Sequence, residues 1–264
     1  MTRSIFALMV LFAAPVCAQE LMQNSDQPIE ITGQQSLEWD RDAQLYKALG
    51  GAKATQGTFS VSSDNMTAKY QGDQSNLTTL DAVGNVVIDS EGRVARGDNA
   101  VYDIATGNAT LTGGALSLTT PDLTVTAKDK FTVNTKTNNF DAYGAAVATQ
   151  TKEKRQIKGE HLNAVFAKGA DGKTALSSMT AMQNVSIAAG EDTVHGDKAV
   201  YNALTKQAEV TGKTVTLNRG PNVLTGERAT VDMNTNVSHL YGGAAQPAKA
   251  VFYPKSKSVE GVTK

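Results

Sequence analysis

The feature that most constrains this chain is a recurrence. The stretch Gly-Asp-Asn-Ala-Val-Tyr-Asp-Ile-Ala-Thr-Gly-Asn-Ala-Thr-Leu-Thr-Gly, Gly97 to Gly113, returns from Gly196 as Gly-Asp-Lys-Ala-Val-Tyr-Asn-Ala-Leu-Thr-Lys-Gln-Ala-Glu-Val-Thr-Gly. It returns again from Gly226 as Gly-Glu-Arg-Ala-Thr-Val-Asp-Met-Asn-Thr-Asn-Val-Ser-His-Leu-Tyr-Gly. In each copy the opening and closing glycines are 16 positions apart (97 to 113, 196 to 212, 226 to 242). Looser copies start near Gly33, Ser63, Ala127 and Gly159, so successive starts fall 30, 34, 30, 32, 37 and 30 residues apart. A fixed period of this size is the mark of a stacked array of similar units.

The unit is built of strands. After the acidic position the alternate residues are Ala100 and Tyr102, Ala199 and Tyr201, Ala229 and Val231. Before the closing glycine they are Ala109 and Leu111, Ala208 and Val210, Phe140 and Ala142, Leu80 and Ala82, Tyr46 and Ala48. A period of two belongs to a half-buried strand and not to a helix. Between the runs lies a segment rich in Asp, Asn, Thr and Gly, such as Asp103 to Asn108, which suits a hairpin turn. Each unit therefore reads as strand, turn, strand and a glycine bend. One such unit cannot bury its apolar face alone, so about seven of them stack into an all-β body with one continuous apolar strip. Leu80, Val86, Ile88, Tyr102, Leu111, Leu116, Leu118, Phe140, Tyr201, Val210, Val215, Leu217 and Leu240 are placed on that strip by their parity.

Composition limits what the strip can do. Aromatic residues make up 6% of the chain, fewer than a compact sandwich of this length needs for its core. Small inward residues such as Ala, Val and Thr leave room for a guest, and an alkyl chain placed there gains about 0.8 kcal/mol per methylene. With 25 basic and 26 acidic residues there is no cationic footprint for nucleic acid. At the start, Arg3, the apolar run Ile5 to Val16 and Val16-Cys17-Ala18 have the form of a cleaved signal peptide, residues 1–18. The run is shorter than the roughly 20 residues that span a bilayer. Cleavage after Ala18 removes the one cysteine, so neither disulfide nor thiol chemistry is expected of the mature chain.

Chemistry at a point site has little support. His161, His195 and His239 fall in different repeats without zinc-ligand spacing. His161 and His195 flank the acidic positions Glu160 and Asp197, and surface placement is the expectation for all three histidines. The acids Asp98, Asp197 and Glu227, one per repeat, supply too few oxygens for calcium and are expected to cap the glycine bends instead. Neither a nucleophile elbow nor a phosphate-binding loop occurs in the sequence. No catalytic residue, metal or cofactor is assigned, and no enzymatic activity is expected.

The segment Pro28 to Tyr70 reads Pro-Ile-Glu-Ile-Thr-Gly, then Gln-Ser-Leu-Glu-Trp-Asp, then Ala-Thr-Gln-Gly-Thr-Phe-Ser-Val-Ser-Ser-Asp-Asn-Met-Thr-Ala-Lys-Tyr. It resembles the opening of the LptA/OstA-like periplasmic lipopolysaccharide transport proteins, and the Gly-Asp-x-Ala-x-Tyr units at 97 and 196 are similar to that family's repeat. The resemblance covers most of Pro28 to Gly243. It implies an elongated antiparallel β-jellyroll, or β-taco, whose groove shields the acyl chains of lipid A on the way to the outer membrane, with the thirteen strip residues as its lining. On this reading residues 19–27 are a flexible lead-in, 28–245 the repeat domain and 246–264 a basic flexible tail. Residues Lys168 to Lys173 form an exposed loop. The expected location is the periplasm. Expected partners are lipopolysaccharide, neighbouring β-groove proteins meeting its edge strands, and further copies of itself head to tail. The alternatives are a membrane-anchored LptC-like partner of the same pathway and a ligand-free β-solenoid or adhesin-type repeat protein.

Overall fold

The computed structural model describes residues 27–253 apart from 151, 153, 170, 171, 173, 236 and 245. The expected signal peptide, most of the lead-in and the end of the tail (254–264) lie outside the described residues. What is described is all strand and turn. The elements are β1 (Glu30–Gly33), β2 (Ser36–Asp40), β3 (Leu45–Gln56), β4 (Phe59–Gln71), β5 (Asp73–Ser90) and β6 (Arg93–Asp103). They continue with β7 (Asn108–Thr112), β8 (Leu116–Thr119), β9 (Leu123–Ala127), β10 (Lys130–Asn134), β11 (Asn139–Gln150) and β12 (Arg155–Lys168). The remainder are β13 (Thr174–Ala189), β14 (Asp192–Asn202), β15 (Gln207–Arg219), β16 (Asn222–Asp232), β17 (Val237–Tyr241) and β18 (Lys249–Val251).

All 18 strands belong to one antiparallel sheet, a β-jellyroll of the taco type. The long strands cross a bend at mid-length. Four pairs of short strands, β1 with β2, β7 with β8, β9 with β10 and β17 with β18, are the same track interrupted at the bend, because both members of each pair lie beside one long neighbour. Successive tracks are thus sheet neighbours from end to end. Each repeat contributes two tracks, and at about 4.8 Å per strand the stack runs roughly 60 Å.

The bend divides the sheet into two arms. The hairpin Gly97 to Gly113 lies wholly on the first arm, and the chain then crosses the bend to make β8 and β9 on the second. The crossing is marked by register shifts at the same height in successive ladders, such as Leu49/Ala52, Val83/Val86, Tyr143/Ala146 and Met182/Val185. The acids of the repeat sit here. Asp98 Oδ2 accepts from Gly114 N at 2.9 Å and Asp197 Oδ2 from Lys213 N at 2.8 Å. Beside Gly243, a Cβ would stand 1.7 Å from the Glu227 carboxylate. The spacing of 16 follows: the hairpin returns the closing glycines beside the acid that opened it. At Gly144, with φ of 84°, a Cβ would meet the Asp129 carboxyl carbon at 2.4 Å, so a side chain here would be strained and would displace that carboxylate.

Along the outer end of the first arm the turns repeat one device. Asp40, Asp103, Asn134, Asn202 and Asp232 each accept a backbone N–H three residues on, from Ala43, Thr106, Thr137, Thr205 and Thr235 at 2.8–3.2 Å. This is the Asx turn the Asp- and Asn-rich segments predict. Successive turns are tied together through Thr135 N to Gly107 O and Met233 N to Lys206 O, at 2.8 and 3.0 Å.

Side chains alternate as the sequence requires. Ala48, Met66, Ala82, Leu111, Ala142, Ala181, Ala199, Val210 and Ala229 on the first arm are buried, as are Val61, Val86, Leu116, Val125, Ala148, Ile157, Ile187 and Leu217 on the second. The sheet also runs past Gly243, since β18 pairs with β16 through Val223↔Val251 to Thr225↔Lys249.

Candidate functional site: an apolar cavity between the arms

Between the arms, in the half of the molecule nearer β1, lies an apolar cavity of about 90 Å³. The first arm lines it with Leu80, Tyr102, Leu111, Phe131, Val133 and Phe140, the second with Phe59, Val61, Ile88 and Leu118. Ala82, Ala95, Ala100 and Ala109 stand between these larger groups and leave the space. Phe131 and Phe140 face each other across β10 and β11 with ring centroids 5.4 Å apart. Ile88, Ala95, Ala100, Tyr102 and Phe140 remain half-buried although all are inward-facing, because the space beside them is not filled by protein. Apart from Ser90, Arg93, Thr110 and the Tyr102 hydroxyl the lining is apolar, and an apolar enclosure suits an apolar guest better than water.

Of the thirteen strip residues, the cavity brings together Leu80, Ile88, Tyr102, Leu111, Leu118 and Phe140. Val86 and Leu116 are buried on the second arm close to the bend and do not border it. Tyr201, Val210, Val215 and Leu217 are buried in the other half of the molecule, and Leu240 packs half-buried against the same core. Sequence reasoning missed Phe59, Phe131 and Val133, which sit in the loosest copies of the repeat. The alternation Phe131, Val133 in one hairpin strand and Phe140, Ala142 in the next was the available signal. It also missed Ser90 and Arg93, which line the cavity beside the Glu91–Gly92 turn. Val101 and Thr110, of opposite parity, border the cavity as well.

The other candidate chemistries stay dispersed. Among the described residues no cluster of three or more metal-ligating side chains forms. His195 and His239 are exposed. His161 departs from the surface expectation: it is half-buried, its Nε2 lies 2.7 Å from Asp141 Oδ1, and its ring stacks on Tyr143 at 4.2 Å. Asn163 and Asn139 complete the hydrogen bonds of the Asp141 carboxylate, at 2.8 and 2.9 Å. Burial and the Asp141 charge together raise the Tyr143 phenol above its ordinary range.

The architecture is thus a one-sheet β-taco with a mainly apolar cavity between its arms. Residues 30–139 match the family described as LptA/(LptD N-terminal domain) LPS transport protein. The segment contains every cavity-lining residue except Phe140. That family is one of transport proteins, not of enzymes. No curated protein matches the chain. Among solved structures, one match is the crystal structure of LptH, the LptA homologous periplasmic component of the lipopolysaccharide transport device of Pseudomonas aeruginosa. It is 11% identical, covering 87% of this chain and 97% of that one, with a TM-score of 0.21, too low for the likeness to carry weight.

Proposed function

We infer that this protein is a periplasmic carrier or bridge for lipopolysaccharide that shields lipid A acyl chains between its arms during transport to the outer membrane. The observation behind this reading is the cavity lined by Phe59, Leu80, Tyr102, Leu111, Phe131 and Phe140, all but the last of them inside the segment that matches the lipopolysaccharide transport family. Binding needs no bond chemistry. The guest exchanges water for apolar surface, at about 0.8 kcal/mol per buried methylene, and the two arms exclude solvent from either side. Of the thirteen strip residues, the six that border the cavity, Leu80, Ile88, Tyr102, Leu111, Leu118 and Phe140, are the proposed lining, with 28–245 and the β18 strand that joins its sheet as the carrier domain.

The ends of the sheet support a bridge. Tracks β2–β1 and β17–β18 have no neighbour on their outer side among the described residues, and edge strands of this kind accept another chain by backbone pairing. Seven of the ten exposed large apolar residues among the described residues gather at these ends. Ile29, Leu37 and Trp39 lie at one, and Val237, Tyr241, Phe252 and Tyr253 at the other. Head-to-tail pairing, with a second copy or with another β-groove protein, covers both sets.

The direct test is mass spectrometry of the organic extract of protein purified natively from its own cells. Acyl-chain lipid at near-stoichiometric amount is expected. A clean extract favours the ligand-free repeat protein.

A further inference from the structure

One corner of the cavity is not apolar. Ser90 and Arg93 close the β5–β6 hairpin of the second arm as a directly opposed pair. Both border the cavity, and Arg93 is the one charged residue on its lining. Ser90 is 4% exposed, and its hydroxyl has no hydrogen-bond partner among the described residues. On its other side Ser90 faces Phe59, which has no polar atom to offer. A buried hydroxyl left without a partner carries a desolvation cost that nothing in the protein offsets.

Parity explains why the pair points inward. Arg93 shares the face of Ala95, while Arg96, one step off that face, is exposed. The pair also sits at the outer end of its arm, next to the exposed turn residues Glu91 and Gly92, so a polar group held there stays close to solvent while its alkyl chains run inward. A guanidinium fork donates to two oxygens of an anion in one plane. A hydroxyl beside it donates to a third. A carboxylate has only two oxygens, both turned to the fork, whereas a phosphate monoester has a third oxygen to turn to the hydroxyl.

We propose that Ser90 and Arg93 form an anchor for the phosphate of an anionic amphiphile whose alkyl chains occupy the cavity. The anchor rests on the acyl-chain reading above and adds head-group selectivity to it. Three ligands of equal chain length separate the two. Dodecyl phosphate, dodecanoate and dodecanol are each used to displace N-phenyl-1-naphthylamine from the purified protein. Dodecyl phosphate displaces at a concentration about tenfold below that of dodecanol, the difference one charged hydrogen-bonding contact makes, and dodecanoate falls between them. Arg93→Gln removes the advantage of the phosphate and Arg93→Lys restores part of it. Arg96→Gln, the same charge change on the opposite face, leaves it intact. Ser90→Ala weakens the phosphate a few-fold and leaves dodecanoate unchanged. Displacement by dodecanol is the same in every variant and serves as the check on folding. Equal displacement by dodecyl phosphate and dodecanol in the unaltered protein overturns the anchor while the cavity stands, and so does an equal loss from Arg93→Gln and Arg96→Gln. If no ligand displaces the dye, the acyl-chain reading fails and the anchor with it.

Discussion

The two halves of the sheet use the same repeat to opposite ends. Around β5–β11 the inward residues Ile88, Ala100 and Tyr102 are half-buried and face the cavity. Their counterparts three array positions later, Ile187, Ala199 and Tyr201, are 1%, 1% and 9% exposed. The local sequences correspond closely: Val86-Val87-Ile88 with Val185-Ser186-Ile187, and Gly97-Asp98-Asn99-Ala100-Val101-Tyr102 with Gly196-Asp197-Lys198-Ala199-Val200-Tyr201. The backbone corresponds too, with left-handed pairs at Gly84–Asn85 and Gln183–Asn184. What differs is the company. In the first half, alanines stand among Phe59, Phe131 and Phe140, rings that brace the space around them. In the second, Ala181, Ala199, Ala208 and Ala229 share the interior with Val185, Ile187, Val215 and Leu217, and all are at most 3% exposed. Burial there raises the Tyr201 phenol above its ordinary value. Small inward residues do not by themselves leave room; they leave it only where larger neighbours keep the arms from closing on them.

The sharpest way to break this comparison is to truncate the paired isoleucines. Ile187→Ala in the packed half is expected to cost about 3 kcal/mol, the transfer term plus an unfilled cavity. Ile88→Ala, already beside a cavity, costs about 1 kcal/mol. Urea unfolding of the two variants checks this, and equal losses contradict it.

Enlarging the paired alanines comes next. Ala199→Leu overpacks a filled interior and is expected to lower stability by about 2 kcal/mol. Ala100→Leu grows into existing space, costs less than about 1 kcal/mol, and reduces the lipid retained on native purification.

The hairpin ends, by contrast, are expected to behave alike in both halves. The backbone N–H of Thr106 holds the Asp103 carboxyl below its usual value, and those of Asn234 and Thr235 do the same for Asp232. A folded pKa below the unfolded one contributes stability that is full above about pH 4 and is lost as the pH falls through the depressed value. Asp103→Asn and Asp232→Asn should each flatten the acid limb of the stability curve slightly and equally, as read from thermal midpoints between pH 7 and pH 2.5.

Much of this was legible from sequence because a period of two and a period near 30 are both statements about geometry. The alternation placed Ala100, Tyr102, Leu111 and Val210 inside, and the Gly-Asp pair placed the bend. The Asp103–Asn108 segment gave its turn by composition. The position of the cavity was not legible, since it depends on which side chains from two arms, tens of residues apart, meet. Leu80 and Leu217 have the same parity, yet one borders open space and the other is sealed. Parity also fell short at Val101 and Thr110, which border the cavity from the other face of their strands. Ser90 and Arg93 were hidden for another reason: polar residues beside a glycine turn read as solvent-facing unless the strand register is known.

The most direct test of a lipid-holding first half and a dry second half is site-specific photo-crosslinking in cells. A benzoyl-phenylalanine at Leu111 or Tyr102 is expected to capture lipopolysaccharide. The same group at Val215, sealed in the packed half, or at Asn99, exposed on the outer face of β6, is expected to capture none. Capture from Asn99 equal to that from Leu111, or none from Leu111 and Tyr102 in folded protein, would contradict the assignment of the cavity as the lipid site.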